Sequence, residues 1–261
     1  LECELIASSY KHKWQHYTFL CDVQSSRIQL TEMKCYDGKM PLMRHLKWAY
    51  EEHPHALIVG ETGSGKTYAL MSFIEAVAKS GAALVVIDAK NADLSGLAGY
   101  LPEVYSGSAD IKEQVIKFYE DMLDRMESMK RCADYEPGRN YRALGFQARF
   151  MIFDEYVAYL SMLQKKEAEE VISYLQKIVL LGRQAGFFVI LSCQRPDAKY
   201  LPDGVRDQFG LRIALGAMTD SGYTMMFGTT EKQFITKDIK GRGYVGLWDG
   251  VITEFYAPYV P

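Results

Sequence analysis

Apolar positions along the chain follow two different periods. Five short runs, "ALIV" at 56–59, "ALVVID" at 83–88, "RFMIFDE" at 149–155, "FFVILSC" at 187–193 and "LRIAL" at 211–215, are apolar with little or no alternation, which predicts strands covered on both faces. Between them the apolar residues fall at helical intervals. "KTYALMSFIEAVAKSG" follows the first run and closes at Gly81. Ile111, Val115, Phe118, Met122 and Met126 mark an amphipathic helix over 110–130, and Val171, Leu175, Ile178 and Val179 mark a long one ending near Gly186. Strands alternating with helices of this length imply right-handed crossovers and an α/β fold built on a mainly parallel sheet flanked by helices.

The two ends read differently. "HYTFLCDV" and "RIQLTEMKC" predict two short strands joined at Gln24-Ser25-Ser26, "YDGKMP" a turn-rich linker, and "LMRHLKWAYEE" a helix. Near the C-terminus, "GYVGLW-DG-VITEFY" predicts a β-hairpin with Asp249-Gly250 in a type I′ turn. The expected division is a short β-rich N-terminal segment with its linker over 1–45 and one large domain over 46–261.

Composition narrows the function classes. Thirty basic against thirty-three acidic side chains give a net charge of −3, so no global basic field advertises nucleic acid, and contact with a polyanion has to come from a local patch or from assembly. The five cysteines, Cys3, Cys21, Cys35, Cys132 and Cys193, are scattered without zinc-site or disulfide-framework spacing. His53 and His55 flank Pro54 with no third ligand nearby and read as ordinary edge residues. No apolar run is long enough to span a bilayer. Leu1 rather than Met stands first, so the expectation is a soluble piece whose membrane contact, if any, lies upstream.

The chemistry is concentrated in one stretch. Gly60-Glu61-Thr62-Gly63-Ser64-Gly65-Lys66-Thr67 matches the phosphate-binding loop G-x-x-x-x-G-K-[ST], with a buried strand before it and a helix after it. Glycines let successive N–H groups point inward as an anion nest, and the helix N-terminus adds positive potential. Lys66 is placed to reach the β and γ phosphates of ATP, and the Thr67 hydroxyl to ligate Mg²⁺. "RFMIFDEY" then presents Asp154 and Glu155 at the end of a strand, the edge where open α/β sheets bind ligands. Asp154 is the expected metal holder and Glu155 the residue that orients the attacking water, although an acidic helix cap gives the same pattern. Gln194 in "VILSCQRP" is a γ-phosphate sensor or a turn residue before Arg195-Pro196.

Taken in order, "GETGSGKT", "FMIFDEY", "GRQAGFFVILSCQRPD" and "GLRIAL" resemble the FtsK/SpoIIIE branch of ring ATPases, which pump DNA; the resemblance runs from about His55 to about Gly246. "PHALIVGETGSGKTYAL" with "VVIDAKNADLSGL" looks most similar to the TcpA-like coupling ATPases of Gram-positive conjugative elements. The resemblance implies a RecA-like P-loop NTPase, homo-hexamers with ATP at subunit boundaries, DNA as the polymer, and a station on the cytoplasmic side of the cell membrane beside relaxase and conjugation channel proteins. It also implies an arginine acting in trans on a neighbouring site. Arg212 matches that position, with Arg125 and Arg183 as alternatives. Unlike the FtsK proteins, this chain carries no winged-helix module, so sequence-guided direction is not expected. Lys90, Asn91, Arg195 and Lys199 are the expected polymer contacts. A secretion ATPase of the type VII kind, acting on proteins, and a nucleotide-gated recruitment module with little hydrolysis are the competing functions.

Overall fold

A computed structural model describes residues 3–196, 199–201 and 203–260. In chain order it holds β1 (Cys3–Lys11), β2 (Trp14–Cys21), β3 (Lys39–Met43), β4 (Leu46–Ala49), β5 (Ala56–Gly60), α1 (Lys66–Lys79), β6 (Ala83–Asp88), β7 (Val104–Tyr105), α2 (Ser108–Lys130), β8 (Arg149–Asp154), α3 (Tyr156–Met162), α4 (Lys165–Ala185), β9 (Phe187–Cys193), α5 (Asp203–Arg206), β10 (Leu211–Leu215), α6 (Asp220–Phe227), β11 (Arg242–Leu247) and β12 (Ile252–Tyr256).

The five unbroken apolar runs became the centre of one eight-stranded sheet of order β12-β11-β10-β5-β9-β8-β6-β7. From β10 to β7 the pairing is parallel; β11 and β12 close one side antiparallel. Helices flank it: α1 packs on β5, β6 and β8, while α4, paired with α2, packs on β9. Phe150, Phe153, Phe187 and Phe188 are fully buried between these layers, and each such ring stabilises the fold by roughly 1.5–3 kcal/mol relative to exposure. The sheet therefore fixes where every strand end lies.

Three expectations at the ends fail, each for a local reason. "LMRHLKWAYEE" is not a helix but half of a hairpin, in which Met40 pairs Trp48. Leu46 and Trp48 are buried while Lys47 between them is exposed, a period of two that overrides the helical reading. "RIQLTEMKC" does not form a strand: the Glu32 carboxylate accepts the Gln29 N–H at 2.7 Å and curls residues 30–32 into a 3-10 turn. The pairing partner of the first predicted strand is instead β1, upstream of it. Asp249-Gly250 is no type I′ turn either, since only Gly250 has positive φ, at 76°. Gly250 N–H donates to Leu247 O at 3.1 Å, giving a wider loop between the paired Gly246 and Ile252.

His55 also departs from its reading as an edge residue. It is fully buried at the start of β5 with φ of 61°. Its Nε2–H donates to Val179 O at 2.9 Å, and its Nδ1 accepts the Val189 N–H at 3.0 Å. Both ring nitrogens are thus spent on joining β5 to α4 and β9.

Candidate nucleotide site

The phosphate-loop motif falls where β5 ends and α1 begins. Gly63 and Gly65 take left-handed backbone, with φ of 86° and 94°, a region open to glycine at little cost. At Gly65 the requirement is also spatial, because a Cβ there would lie 2.6 Å from Gly241 N. The stretch before β11 is pressed against the loop, and Gly241 N–H donates to Ser64 O at 2.9 Å. The Ser64 side chain turns behind the loop, towards Gly60 and Gly216, and its buried Oγ has no hydrogen-bond partner.

Opposite the loop, β8 delivers Asp154 and Glu155, and the two join Lys66 in one cluster. Lys66 Nζ donates to Asp154 Oδ1 at 2.7 Å, to Glu155 Oε1 at 2.6 Å and to Ser192 Oγ at 3.0 Å. The Ser192 hydroxyl in turn donates to Asp154 Oδ1. Burial works to lower the pKa of the Lys66 ammonium, but attraction and hydrogen bonding from Asp154, then Glu155, outweigh it and hold it above its ordinary value. Glu155 sits between strand and helix at φ 54°, a left-handed conformation rare for a residue with a long side chain.

A second cation flanks the pair. Lys90 Nζ lies 3.4 Å from Glu155 Oε1. Its loop is pinned by Asp88, buried at the end of β6 in register with Asp154, whose carboxylate accepts N–H groups from Lys90, Ala92 and Ser95. Gln194, just past β9, donates to Thr62 Oγ1 at 3.4 Å, and Arg195 pairs with Glu61 at 3.1 Å. Glu61, Thr62, Lys66, Lys90, Asp154, Glu155 and Gln194 line a cavity of about 510 Å³ that also includes Thr67, Asp93 and Lys240.

The cleft suits ATP and a hard cation. The left-handed glycines and the helix start form an anion cradle, and Thr67 and Asp154 both offer oxygen donors to the same cavity, the donor type Mg²⁺ prefers, with its remaining positions to be filled by water and phosphate. Among the described residues no cluster of three His, Cys, Asp or Glu side chains forms a separate metal site.

The arginines lie elsewhere. β10 runs parallel to β5 with Leu215 opposite Gly60, so Arg212, opposite Leu57, lies three residues back from the loop edge, roughly 10 Å along the strand. Its guanidinium donates to the carbonyls of Arg206, Phe209 and Met226 and pairs with Asp207. Arg183 donates to Glu52 O at 3.4 Å. Both line a separate cavity of about 570 Å³. Arg125 donates to Gln147 O at 2.6 Å and lies over the Phe187 ring, 4.5 Å from its centroid. Lys199 lies over the ring of its neighbour Tyr200, 4.8 Å from the centroid.

Sequence reasoning missed Ser192, Asp88, Lys240 and the inward aim of Lys90. A signal existed for Asp88, because "VVID" ends as "MIFD" does. None existed for Lys240, brought in from more than 170 residues away by the packing of Gly241 on Ser64.

Comparison with known proteins agrees with this geometry. The FtsK/SpoIIIE family model matches residues 37–143. The FtsK domain-containing protein YdcQ of Bacillus subtilis (strain 168) is 44% identical over the whole chain, which spans 55% of YdcQ. A DNA translocase FtsK of Staphylococcus aureus (strain Mu50) is 25% identical over 80% of the chain and 28% of its own length. The chain thus spans about half the length of YdcQ and less of the translocase. In fold it matches the pCW3 conjugation coupling protein TcpA with ATPγS (TM-score 0.69, 16% identity, 98% of this chain and 77% of that one). It matches EssC ATPases 2 and 3 of Geobacillus thermodenitrificans as well (TM-score 0.71, 15% identity, 93% and 49%). At such identities the structural matches speak for fold alone. Family model, relatives, sheet order and the convergence of Lys66 with two strand-end acids point one way: this chain carries a match to the FtsK/SpoIIIE family over residues 37–143 and has the fold and nucleotide cleft of a P-loop ATPase of that type.

Proposed function

We propose that the chain is the motor domain of a DNA translocase, the coupling ATPase that drives DNA transfer in conjugation, with residues 46–261 as the motor and 1–45 as its appendage. The observation that carries this reading is the meeting of Lys66, Asp154 and Glu155 within hydrogen-bond distance of Lys66 Nζ. When bound, ATP supplies the phosphoryl group and Mg²⁺ the charge neutralisation. Lys66 would exchange its two carboxylates for phosphate oxygens. Asp154, with Thr67, would then hold the cation, and Glu155 would orient a water and take up its proton as the water oxygen bonds to the terminal phosphorus and the bond to the departing ADP breaks. Lys90 stays beside Glu155 and keeps the carboxylate facing the cleft. Gln194, hydrogen-bonded to Thr62 of the loop, would report the state of the terminal phosphate to the segment beyond β9, a role its contact with the loop supports.

Arg212, which faces away from its own chain's cleft, is available to a neighbour in a ring of six. Support for DNA as the polymer comes from the family and from relatives named DNA translocases; support for conjugation comes from the resemblance of residues 54–70 and 85–97 to the TcpA-like coupling ATPases. Relaxase and channel proteins are the partners this role requires, on the cytoplasmic side of the membrane. The test is ATP turnover with and without single- or double-stranded DNA at low salt. Stimulation by DNA is expected. Turnover indifferent to DNA but raised by a protein substrate would replace the reading with a secretion motor, and absence of turnover at all protein concentrations would leave a recruitment module.

A further inference from the structure

The N-terminal hairpin carries a surface that the motor does not use. β1 and β2 pair only with each other, and β1 rests against β12. A two-stranded ribbon of this kind is marginal alone, yet this one exposes four large rings: Tyr10 at 70%, Trp14 at 73%, Tyr17 at 57% and Phe19 at 60%. The register sorts them. Tyr10 lies opposite Gln15 and Ser8 opposite Tyr17, so Tyr10, Tyr17 and Phe19 share one face and Trp14 takes the other. The Tyr17 and Phe19 centroids are 6.5 Å apart, the i,i+2 spacing of an extended strand. From Leu5 to Cys21 there is no acid, while residues 11–13 read Lys-His-Lys and His12 and Lys13 form the turn, in a chain whose net charge is −3.

The geometry points to a single-stranded nucleic acid platform on this hairpin, a deepening of the DNA-motor reading that rests on it for the identity of the polymer. Separated rings along an exposed strand give successive unpaired bases one face each to stack on, as sheet aromatics do for single strands generally, and the basic turn takes the phosphates. A duplex keeps its bases stacked inside and offers these rings nothing. A bilayer is the other surface that takes aromatic and basic residues together. A hairpin that enters lipid does so with an apolar tip, however, whereas this one is most polar at His12 and Lys13.

The experiment is titration of the full chain, without ATP, against labelled oligothymidine, the same length of duplex, and anionic phosphatidylglycerol vesicles at low salt. The expected result is preference for the single strand, with affinity falling about tenfold or more in Tyr10→Ser/Tyr17→Ser/Phe19→Ser and retained in the ring-preserving Tyr17→Phe/Phe19→Tyr. ATP turnover without DNA stays unchanged in both variants. Failure of the wild type to bind the single strand, equal binding by the triple variant, preference for duplex, or hairpin-dependent binding to vesicles alone would each overturn the inference. Hairpin-dependent binding by a chain that never hydrolyses ATP would sink the motor and spare the platform. DNA-stimulated turnover with an indifferent hairpin would do the reverse.

Discussion

At the scale of single residues, Lys66 is already saturated, with two carboxylates and a serine hydroxyl on one ammonium. In the proposed mechanism its transfer to a phosphate would therefore be an exchange of partners, and the side chains it leaves are the ones that mechanism assigns to the cation and the water. Lys66→Ala is expected to abolish ATP binding, measured by fluorescence of a labelled nucleotide. Lys90→Ala is expected to lower kcat by roughly tenfold, within the range of a positioning effect, with KM for ATP little changed and partial recovery in Lys90→Arg; a change in KM alone would remove Lys90 from the account. The loop, Asp154 and Glu155 were legible because their chemistry is written in contiguous residues beside apolar runs. Ser192 was not. A serine inside "FFVILSC" looks like any small core residue until β9 is seen beside β8.

Among the elements, His55 shows how a strand is anchored by a side chain that the sequence presents as an edge. Burial lowers its pKa to about 3, against the weaker pull of the Val179 carbonyl. The ordinary value is 6.5, so the unfolded chain takes up the proton first. The stability tied to the neutral ring is whole above pH 6.5 and is lost as pH falls from there towards 3, by about 1.4 kcal/mol per pH unit. Urea midpoints at pH 7 and pH 5 are expected to differ accordingly, with a smaller difference in His55→Gln; equal slopes would show that the ring is not buried neutral. In the last hairpin, the buried Arg242 bonds Glu254 at 2.8 Å and Tyr244 at 3.0 Å, and Glu254 also accepts from Tyr256 and faces Lys237. Despite the cost of burial, these partners hold the Arg242 pKa up and the Glu254 pKa down. Arg242→Met, which leaves the buried Glu254 charge with only Lys237 and Tyr256, is expected to cost about 3 kcal/mol, and Arg242→Met/Glu254→Met clearly less, in thermal denaturation. The central strands and long helices were readable because burial on both faces leaves a plain apolar signature. Residues 27–49 were not, since one carboxylate–amide bond at Gln29 and the alternation around Trp48 decide them, and both compete with an equally good longer pattern.

For the whole molecule, the account requires a neighbour. Arg212 is held away from its own cleft by three carbonyls and Asp207, so a role for it in hydrolysis has to be played in trans. Mixing Arg212→Ala with Lys66→Ala subunits is expected to restore part of the lost turnover at shared boundaries, and no recovery at any ratio would count against that role. A net charge of −3 predicts weak DNA binding by one copy and steep salt dependence for an assembly that gathers several basic loops around one strand. The expectation of assembly rests on the family resemblance alone, because nothing in one chain's periodicity records where a second copy sits. Beneath it all lies the claim that Lys66 and the strand-end acids serve one nucleotide. The most direct measurement follows radiolabelled ATP on Glu155→Gln: ATP is expected to bind with near-wild-type affinity and to be recovered intact, whereas release of ADP at the wild-type rate would contradict the claim.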